Sequence, residues 1–161
     1  MRIALFQPDI AANVGAVIRL AACLDVPLTV IEPCGFVWDD RRVRRVGLDY
    51  LGHARLERVA SFAAFQQTRG AGTVRLVLLT TRASLPYYAV AYRPDDILLV
   101  GRESAGVPDA VHAAADLRVR VPMAPARRSL NVVTALAMVL GEALRQTGGF
   151  VGDVAAPPGA P

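Results

Sequence analysis

The chain of 161 residues is 53% hydrophobic, which is typical of a single domain with a buried core. Its apolar runs of 5 to 8 residues are far too short to span a membrane, and the first residues form a strand pattern in place of a signal peptide. The net charge is +4, and all 18 basic residues are arginine, whose planar guanidinium binds phosphate and stacks on bases. This composition favours a nucleic-acid partner, although a codon bias that replaces lysine with arginine would produce it too.

Strand and helix patterns alternate along the chain. The predicted strands cover residues 3–6, 27–32, 55–60, 74–79, 96–100 and 117–122, and the segment 85–92 contains a further short strand. The predicted helices cover residues 13–24, 61–68 and 132–146, a short stretch that starts at Pro108, and another between Asp39 or Asp40 and Gly47. We therefore expect an α/β domain over residues 1–150, with a mainly parallel sheet of five or six strands. The proline- and glycine-rich residues 151–161 are expected to be a disordered tail.

The two cysteines do not form a metal-binding pattern. Cys23 lies in a helix pattern and Cys34 follows a strand, with no CxxC spacing and no nearby histidine. We expect both to be reduced core residues of a cytoplasmic protein. His53 and His112 are isolated, which favours surface or packing roles for them.

Three short motifs follow predicted strands. Asn13-x-Gly15-x-x-x-Arg19 opens the first helix, and Arg19 is either a solvated side chain or a site residue beside an apolar face. Gly101-x-Glu103-x-x-Gly106 follows the strand 96–100, where glycines permit a tight turn. It is not a nucleotide-binding GxGxxG, because Glu103 occupies the place of the middle glycine. An ordinary strand-to-helix turn is the alternative.

The third motif is Ser129-Leu130-Asn131, directly before the long helix 132–146. Either Ser129 or Asn131 can cap this helix by accepting hydrogen bonds from its first N–H groups. The same N–H groups also suit an incoming ligand, but a plain capped helix is the simpler alternative. Because ligands of parallel sheets bind at the carboxyl ends of strands, the loops after Leu79, Val100 and Pro122 could surround one ligand.

The most basic segment of the chain has four arginines in five positions. They are Arg41, Arg42, Arg44 and Arg45. The segment is either a contact surface for nucleic-acid phosphates or the solvated face of a short helix.

Together, the three motifs resemble those of the SPOUT class of RNA 2′-O-ribose methyltransferases, in order and in spacing, from Met1 to about Gly149. The short chain and the segments 31–36, 38–40 and 47–50 are similar to the branch that methylates the wobble nucleotide of bacterial tRNA. One departure is Ala16, where many members carry asparagine.

The resemblance implies a deep trefoil knot, through which the last helix is threaded, and bent S-adenosylmethionine held between the knot loops. It implies methylation of the ribose 2′-hydroxyl of nucleotide 34, a cytidine or modified uridine, in the anticodon loop of tRNA. A homodimer whose sites are completed by the partner chain is also implied, as is a reaction that needs no metal and leaves S-adenosylhomocysteine.

The resemblance also assigns roles to residues. The implied catalytic residues are Arg19, Ser129 and Asn131, and Glu103 is expected to organise the knot loop or the start of the last helix. The implied cofactor contacts are Leu79, Thr80, Gly101, Glu103, Gly106, Val121, Pro122, Met123, Ser129 and Leu130. RNA would be bound by Arg19, Arg41, Arg42, Arg44 and Arg45.

Three other functions compete with this interpretation. A related enzyme could methylate a different ribose in tRNA or ribosomal RNA, or the protein could be a catalytically silent RNA-binding member of the fold. A nicotinamide-dependent dehydrogenase is disfavoured because the sequence has no GxGxxG.

Overall fold

The computed structural model describes residues 1–38, 50, 52–69 and 74–152. In these ranges the chain forms seven strands, four α-helices and one 3₁₀ turn, Tyr87–Ala89. The strands are β1 Arg2–Phe6, β2 Leu28–Ile31, β3 Leu56–Val59, β4 Leu76–Leu79, β5 Leu85–Pro86, β6 Ile97–Val100 and β7 Leu117–Arg120. The helices are α1 Ala11–Cys23, α2 Phe62–Thr68, α3 Asp109–Ala114 and α4 Val132–Thr147.

The seven strands form one sheet in the order β3-β2-β1-β6-β4-β7-β5, and every pairing between them is parallel. The expected α/β class is confirmed, but the predicted count of five or six strands was too low. The additional strand is β5, in which Leu85 pairs with Val119 at the edge of the sheet. Pro86 obscures this strand in the sequence, because proline lacks the N–H group that most ladder positions use.

The sheet has a hydrophobic core on each face. Ile3 and Leu5 point toward α1 and α4, whereas Ala4 and Phe6 point toward α2 and α3. The strands β2 and β6 are buried at every residue, as expected for parallel strands covered by helices on both faces. The apolar runs in the sequence therefore identify strands. The prediction for β1 was one residue too short, and those for β2, β3, β4, β6 and β7 extend one or two residues beyond the observed strand at one or both ends.

Local capping explains where α4 begins and ends. Asn131 caps α4, because its Oδ1 accepts hydrogen bonds from the N–H groups of Val133 (2.8 Å) and Thr134 (3.3 Å). Gly148 follows α4 with φ +62°, the left-handed conformation that ends many helices. The first helix begins at Ala11, two residues before the predicted start at Asn13, and its first residues carry no side-chain cap.

Some sequence-based predictions concern residues outside the described ranges. These are the short helix between residues 39 and 47 with its four arginines, and most of the tail. The cysteine prediction was wrong for Cys23, which is exposed near the end of α1, whereas Cys34 is partly buried against the core. Among the described residues, no helix is both long and apolar enough to cross a membrane.

Candidate functional site

A cavity of about 400 Å³ opens at the carboxyl ends of β4, β6 and β7. Its walls are the loops that follow these three strands, together with the first turn of α4. The three loops singled out in the sequence therefore meet at one place. Such a position is the usual ligand-binding edge of a parallel sheet.

Nine of the ten residues expected to contact a cofactor line this cavity: Leu79, Thr80, Gly101, Glu103, Gly106, Val121, Met123, Ser129 and Leu130. Pro122 does not line it. The chain is extended around Pro122, so Val121 and Met123 face the cavity while the proline ring points to solvent.

Sequence reasoning missed a set of apolar residues in the same wall: Leu78, Val100, Val107, Val119, Val132 and Ala135. Three of them, Leu78, Val100 and Val119, stand at or beside the carboxyl end of a strand, which is the signal that could have identified them. They give the cavity an apolar side that suits a flat aromatic ring, opposite polar groups contributed by the loops.

The loop after β6 requires both of its glycines. Arg102 and Gly106 exchange backbone hydrogen bonds of 2.9 Å and 2.8 Å, so the loop folds back on itself. A Cβ atom on Gly101 would lie 2.6 Å from the carbonyl carbon of Gly106, and Gly106 itself has φ +66°. One glycine is therefore needed for space and the other for its backbone conformation.

Glu103 connects the three motifs through hydrogen bonds. Its Oε1 accepts a hydrogen bond from Nδ2 of Asn13 (2.9 Å), and its Oε2 accepts one from the backbone N–H of Asp9 (2.8 Å). Oδ1 of Asn13 in turn accepts a hydrogen bond from Nδ2 of Asn131 (3.2 Å). A continuous chain thus runs from the loop after β6, through the start of α1, to the cap of α4. These contacts suit a carboxylate that organises the loops.

Asp9 fixes the same loop from its other side, and sequence reasoning did not identify it. Its Oδ1 accepts hydrogen bonds from Nη2 (2.9 Å) and Nε (3.1 Å) of Arg102, and its Oδ2 accepts from the N–H (3.1 Å) and hydroxyl of Ser104. The Ser104 hydroxyl, followed by the Arg102 guanidinium, lowers the pKa of the Asp9 carboxyl. Gly35 packs against Asp9 so closely that a Cβ there would lie 2.7 Å from Oδ1.

Ser129 and Asn131 differ in how many of their polar atoms are available. The Asn131 side chain is occupied by the cap of α4 and by Asn13. The Ser129 hydroxyl lines the cavity and has no hydrogen-bond partner among the described residues. Both residues line the cavity, and of the two Ser129 has the polar side-chain group without a partner among the described residues.

Arg19 does not line the cavity of its own chain. It is exposed on α1, and its guanidinium carbon lies 5.4 Å from the centre of the Tyr50 ring, within cation–π range. A single chain therefore does not bring Arg19 together with Ser129. Among the described residues, no group of three His, Cys, Asp or Glu side chains could hold a metal ion.

Comparison with known proteins gives the chain close relatives. A protein of Beijerinckia indica subsp. indica, named tRNA (cytidine(34)-2′-O)-methyltransferase, is 56% identical over 155 residues, which is 96% of this chain and 97% of the relative. A solved structure concerned with the 2-OH methylation of C/U34 on tRNA superposes with a TM-score of 0.85 at 38% identity, covering 90% of this chain and 94% of the other.

A third match, the SpoU methyltransferase AviRb from Streptomyces viridochromogenes in complex with the cofactor AdoMet, has a TM-score of 0.80 at 29% identity. It covers 91% of this chain and 57% of that one. A family model described as the SpoU rRNA Methylase family matches residues 1–141. With this match and these relatives, the chain belongs to the SpoU rRNA Methylase family.

Proposed function

We propose that this protein methylates the ribose 2′-hydroxyl of the wobble nucleotide, position 34, in tRNA, with S-adenosylmethionine as the donor. The observation that carries the proposal is the cavity in which the three family motifs meet, joined by Glu103, Asn13 and Asn131. The names of the relatives at 56% and 38% identity support nucleotide 34 as the target.

The residues of the cavity fit the donor. Its volume of about 400 Å³ is within the usual range for small-molecule sites, and Leu78, Val100 and Val107 give it an apolar wall for an adenine ring. Leu79, Thr80, Gly101, Val121, Met123 and Leu130 would hold the donor, together with the backbone of the glycine loop. When bound, the donor supplies a methyl group on a sulfonium, a reactive arrangement that needs no metal.

The protein has to align the ribose hydroxyl and stabilise the charge that develops on its oxygen. The free hydroxyl of Ser129 at the mouth of the cavity can orient the ribose hydroxyl, while Asn131 holds the first turn of α4 in place. Such positioning can contribute several kcal/mol to lowering the barrier. Glu103 is bonded to Asn13 and Asp9 and serves to position the loops.

Arg19 would act in the site of a second copy of the chain. The absence of Arg19 from the lining of its own cavity supports this arrangement, as do three exposed apolar side chains. Ile10 and Leu130, just before α1 and α4, are 46% and 40% exposed, and Met138 on α4 is 40% exposed. A second copy would cover these apolar side chains and bring its Arg19 to the cavity. Because arginine stays protonated in proteins, Arg19 would bind the target phosphate and stabilise the developing alkoxide instead of acting as the base.

The trefoil knot is supported by the path of the chain. The segment between β5 and β6 crosses from one side of β4 to the other, and β7 then lies between β4 and β5. The last turn of α4 is fastened to this segment, because Gln146 donates to the carbonyl of Val90 (3.0 Å) and accepts from the N–H of Tyr92 (3.0 Å). A last helix held against a crossing segment is the arrangement that threading requires.

The arginines at 41, 42, 44 and 45 would add phosphate contacts along the tRNA. The anticodon loop is a suitable partner, since its unstacked bases can be read directly by a protein.

The test is incubation of the protein with isotopically labelled S-adenosylmethionine and total tRNA, followed by nucleoside mapping. We expect label on the 2′-oxygen of cytidine or uridine at position 34. Label on another ribose would replace this target with a different nucleotide. Absence of both transfer and donor binding in calorimetry would favour the silent RNA-binding protein.

A further inference from the structure

Three arginines beside the cavity have no acidic partner among the residues that the structure describes. Seven arginines of the described ranges form ion pairs with carboxylates, among them Arg102, which pairs with Asp9 in the cavity wall. Arg120, Arg127 and Arg128 are exposed, and within the described residues they form neither an ion pair nor a side-chain hydrogen bond. We call these three residues the rim arginines.

The rim arginines lie where the chain leads from the sheet to the catalytic motif. Arg120 is the last residue of β7 and lines the cavity, and Arg128 directly precedes Ser129. Between Arg120 and Arg128 the backbone forms a turn. In this turn the N–H of Arg127 donates to the carbonyl of Ala124 (3.3 Å), and Ala126 has φ +63°. The positive charges are thus placed next to the residue expected to contact the ribose.

Two nearby carboxylates, Glu103 in the cavity wall and Asp9 beside Arg102, already have hydrogen-bond partners. Asp9 binds Arg102 and Ser104, and Glu103 binds Asn13 and the backbone of Asp9. Three uncompensated guanidinium groups make a positive field, which attracts anions. The planar fork of arginine matches the oxygens of a phosphate group in particular.

We propose that the rim arginines bind the phosphates of the RNA strand on either side of the target nucleotide. The inference rests on the proposed function and extends it by naming a second RNA contact, separate from the segment 41–45. The carboxylate of the donor is the other anion expected nearby, but Arg127 and Arg128 lie outside the residues that line the cavity. One charge in the cavity wall and two outside it therefore fit a polyanionic strand that passes the cavity better than one carboxylate within it.

The test compares the triple variant Arg120→Gln, Arg127→Gln, Arg128→Gln with the control Arg93→Gln. Arg93 is also exposed and has no ion pair in the described ranges. It lies before β6, at the amino ends of the strands, whereas the cavity is at their carboxyl ends. The dissociation constant for tRNA is measured over a series of salt concentrations, and donor affinity is measured by calorimetry. Each lost phosphate contact should make the slope of log K against log salt less steep by about 0.7 to 0.9.

We expect the slope of log K against log salt to be less steep by about two to three in the triple variant. We expect its tRNA affinity at 0.1 M salt to fall on the order of 10- to 100-fold. The control variant should match the wild type in both measurements. The single variants Arg127→Gln and Arg128→Gln, at positions outside the cavity lining, should keep wild-type donor affinity and give smaller losses of slope and tRNA affinity. An unchanged slope, or a loss of donor affinity with intact tRNA binding, would overturn the inference.

Methyl transfer by the wild type is recorded in the same experiment. If the wild type methylates tRNA and the triple variant keeps the wild-type salt dependence of tRNA binding, the inference about the rim arginines is wrong and the proposed function stands. If the wild type binds tRNA through the rim arginines but transfers no methyl group, the proposed function fails, whereas the inference about the rim arginines stands.

Discussion

Asp9 and Glu103 each fasten the loop after β6 to the start of α1, but they do so in opposite senses. Glu103 reaches from the loop to Asn13 and to the backbone of residue 9, whereas Asp9 reaches back to Arg102 and Ser104. The result is a reciprocal clasp between two segments about 90 residues apart. Because it accepts several hydrogen bonds, the Asp9 carboxylate stabilises the folded chain only while it is ionised.

The first prediction concerns the pH dependence of stability through Asp9. Its pKa in the folded chain is lowered, so its contribution is present above the unfolded value of about 3.9 and is lost as the pH falls through the folded value. Asp9→Asn should therefore lower the free energy of unfolding by about 1 to 3 kcal/mol at pH 7. This difference should shrink in strongly acidic solution.

Urea unfolding of the wild type and the variant at pH 7 and near pH 3 measures the effect. Asp25→Asn is the matched control, because Asp25 pairs with Arg55 on the exposed surface, where an ion pair contributes little. If Asp9→Asn is no less stable than the wild type at pH 7, the clasp does not hold the loop.

Asp9 also illustrates what the sequence could not predict. Residues 9 and 102–104 are far apart along the chain, and no periodic pattern relates them. They meet because β1 and β6 are neighbours in the sheet, with Leu5 beside Val100, so that the loops following the two strands are adjacent. Strand order depends on the tertiary fold, whereas the glycines and the cap at Asn131 are properties of local segments and were predictable.

At the scale of elements, the capped helix and the glycine loop were predictable because each depends on local chemistry. The strand ends were harder to predict, since a residue such as Ala60 continues an extended pattern without pairing in the sheet. The position of Arg19 shows the same limit. Helical spacing places it on α1 near Gly15, but spacing does not reveal that it faces away from its own cavity.

The second prediction concerns the loop after β6. Gly101→Ala would place a methyl group 2.6 Å from the carbonyl carbon of Gly106 and 2.8 Å from Cγ1 of Val107, so the loop has to move. We expect donor affinity to fall at least about tenfold, in line with a loss of 1.4 kcal/mol or more.

Calorimetric titration with S-adenosylmethionine measures this loss. Gly52→Ala is the control, because a Cβ atom there has no atom within 4 Å and its backbone is not left-handed. Equal affinities for Gly101→Ala and the wild type would remove this loop from the donor site.

At the scale of the whole molecule, the third prediction concerns two chains sharing a site. Arg19→Ala and Ser129→Ala should each abolish methyl transfer, and Arg19→Ala should leave donor binding near normal because Arg19 is outside the cavity. If Arg19 acts in the partner's site, a heterodimer of the two variants contains one intact site. Refolding the two variants together should then recover about a quarter of the wild-type rate, since about half of the dimers are mixed.

A mixture of Arg19→Ala with the double variant Arg19→Ala, Ser129→Ala serves as the control and should stay inactive. Full transfer by Arg19→Ala would remove this residue from the reaction. No recovery in a mixture shown to contain mixed dimers would mean that Arg19 acts in the site of its own chain, and would contradict the shared site.

The claim on which the whole account depends is that the reacting group is one hydroxyl, the 2′-OH of nucleotide 34. The most direct measurement compares methyl transfer to two synthetic tRNAs that are identical except that one carries a 2′-deoxynucleotide at position 34. We expect transfer to the ribonucleotide form and none to the deoxy form, with equal binding of both. Equal transfer to the two tRNAs would contradict the account.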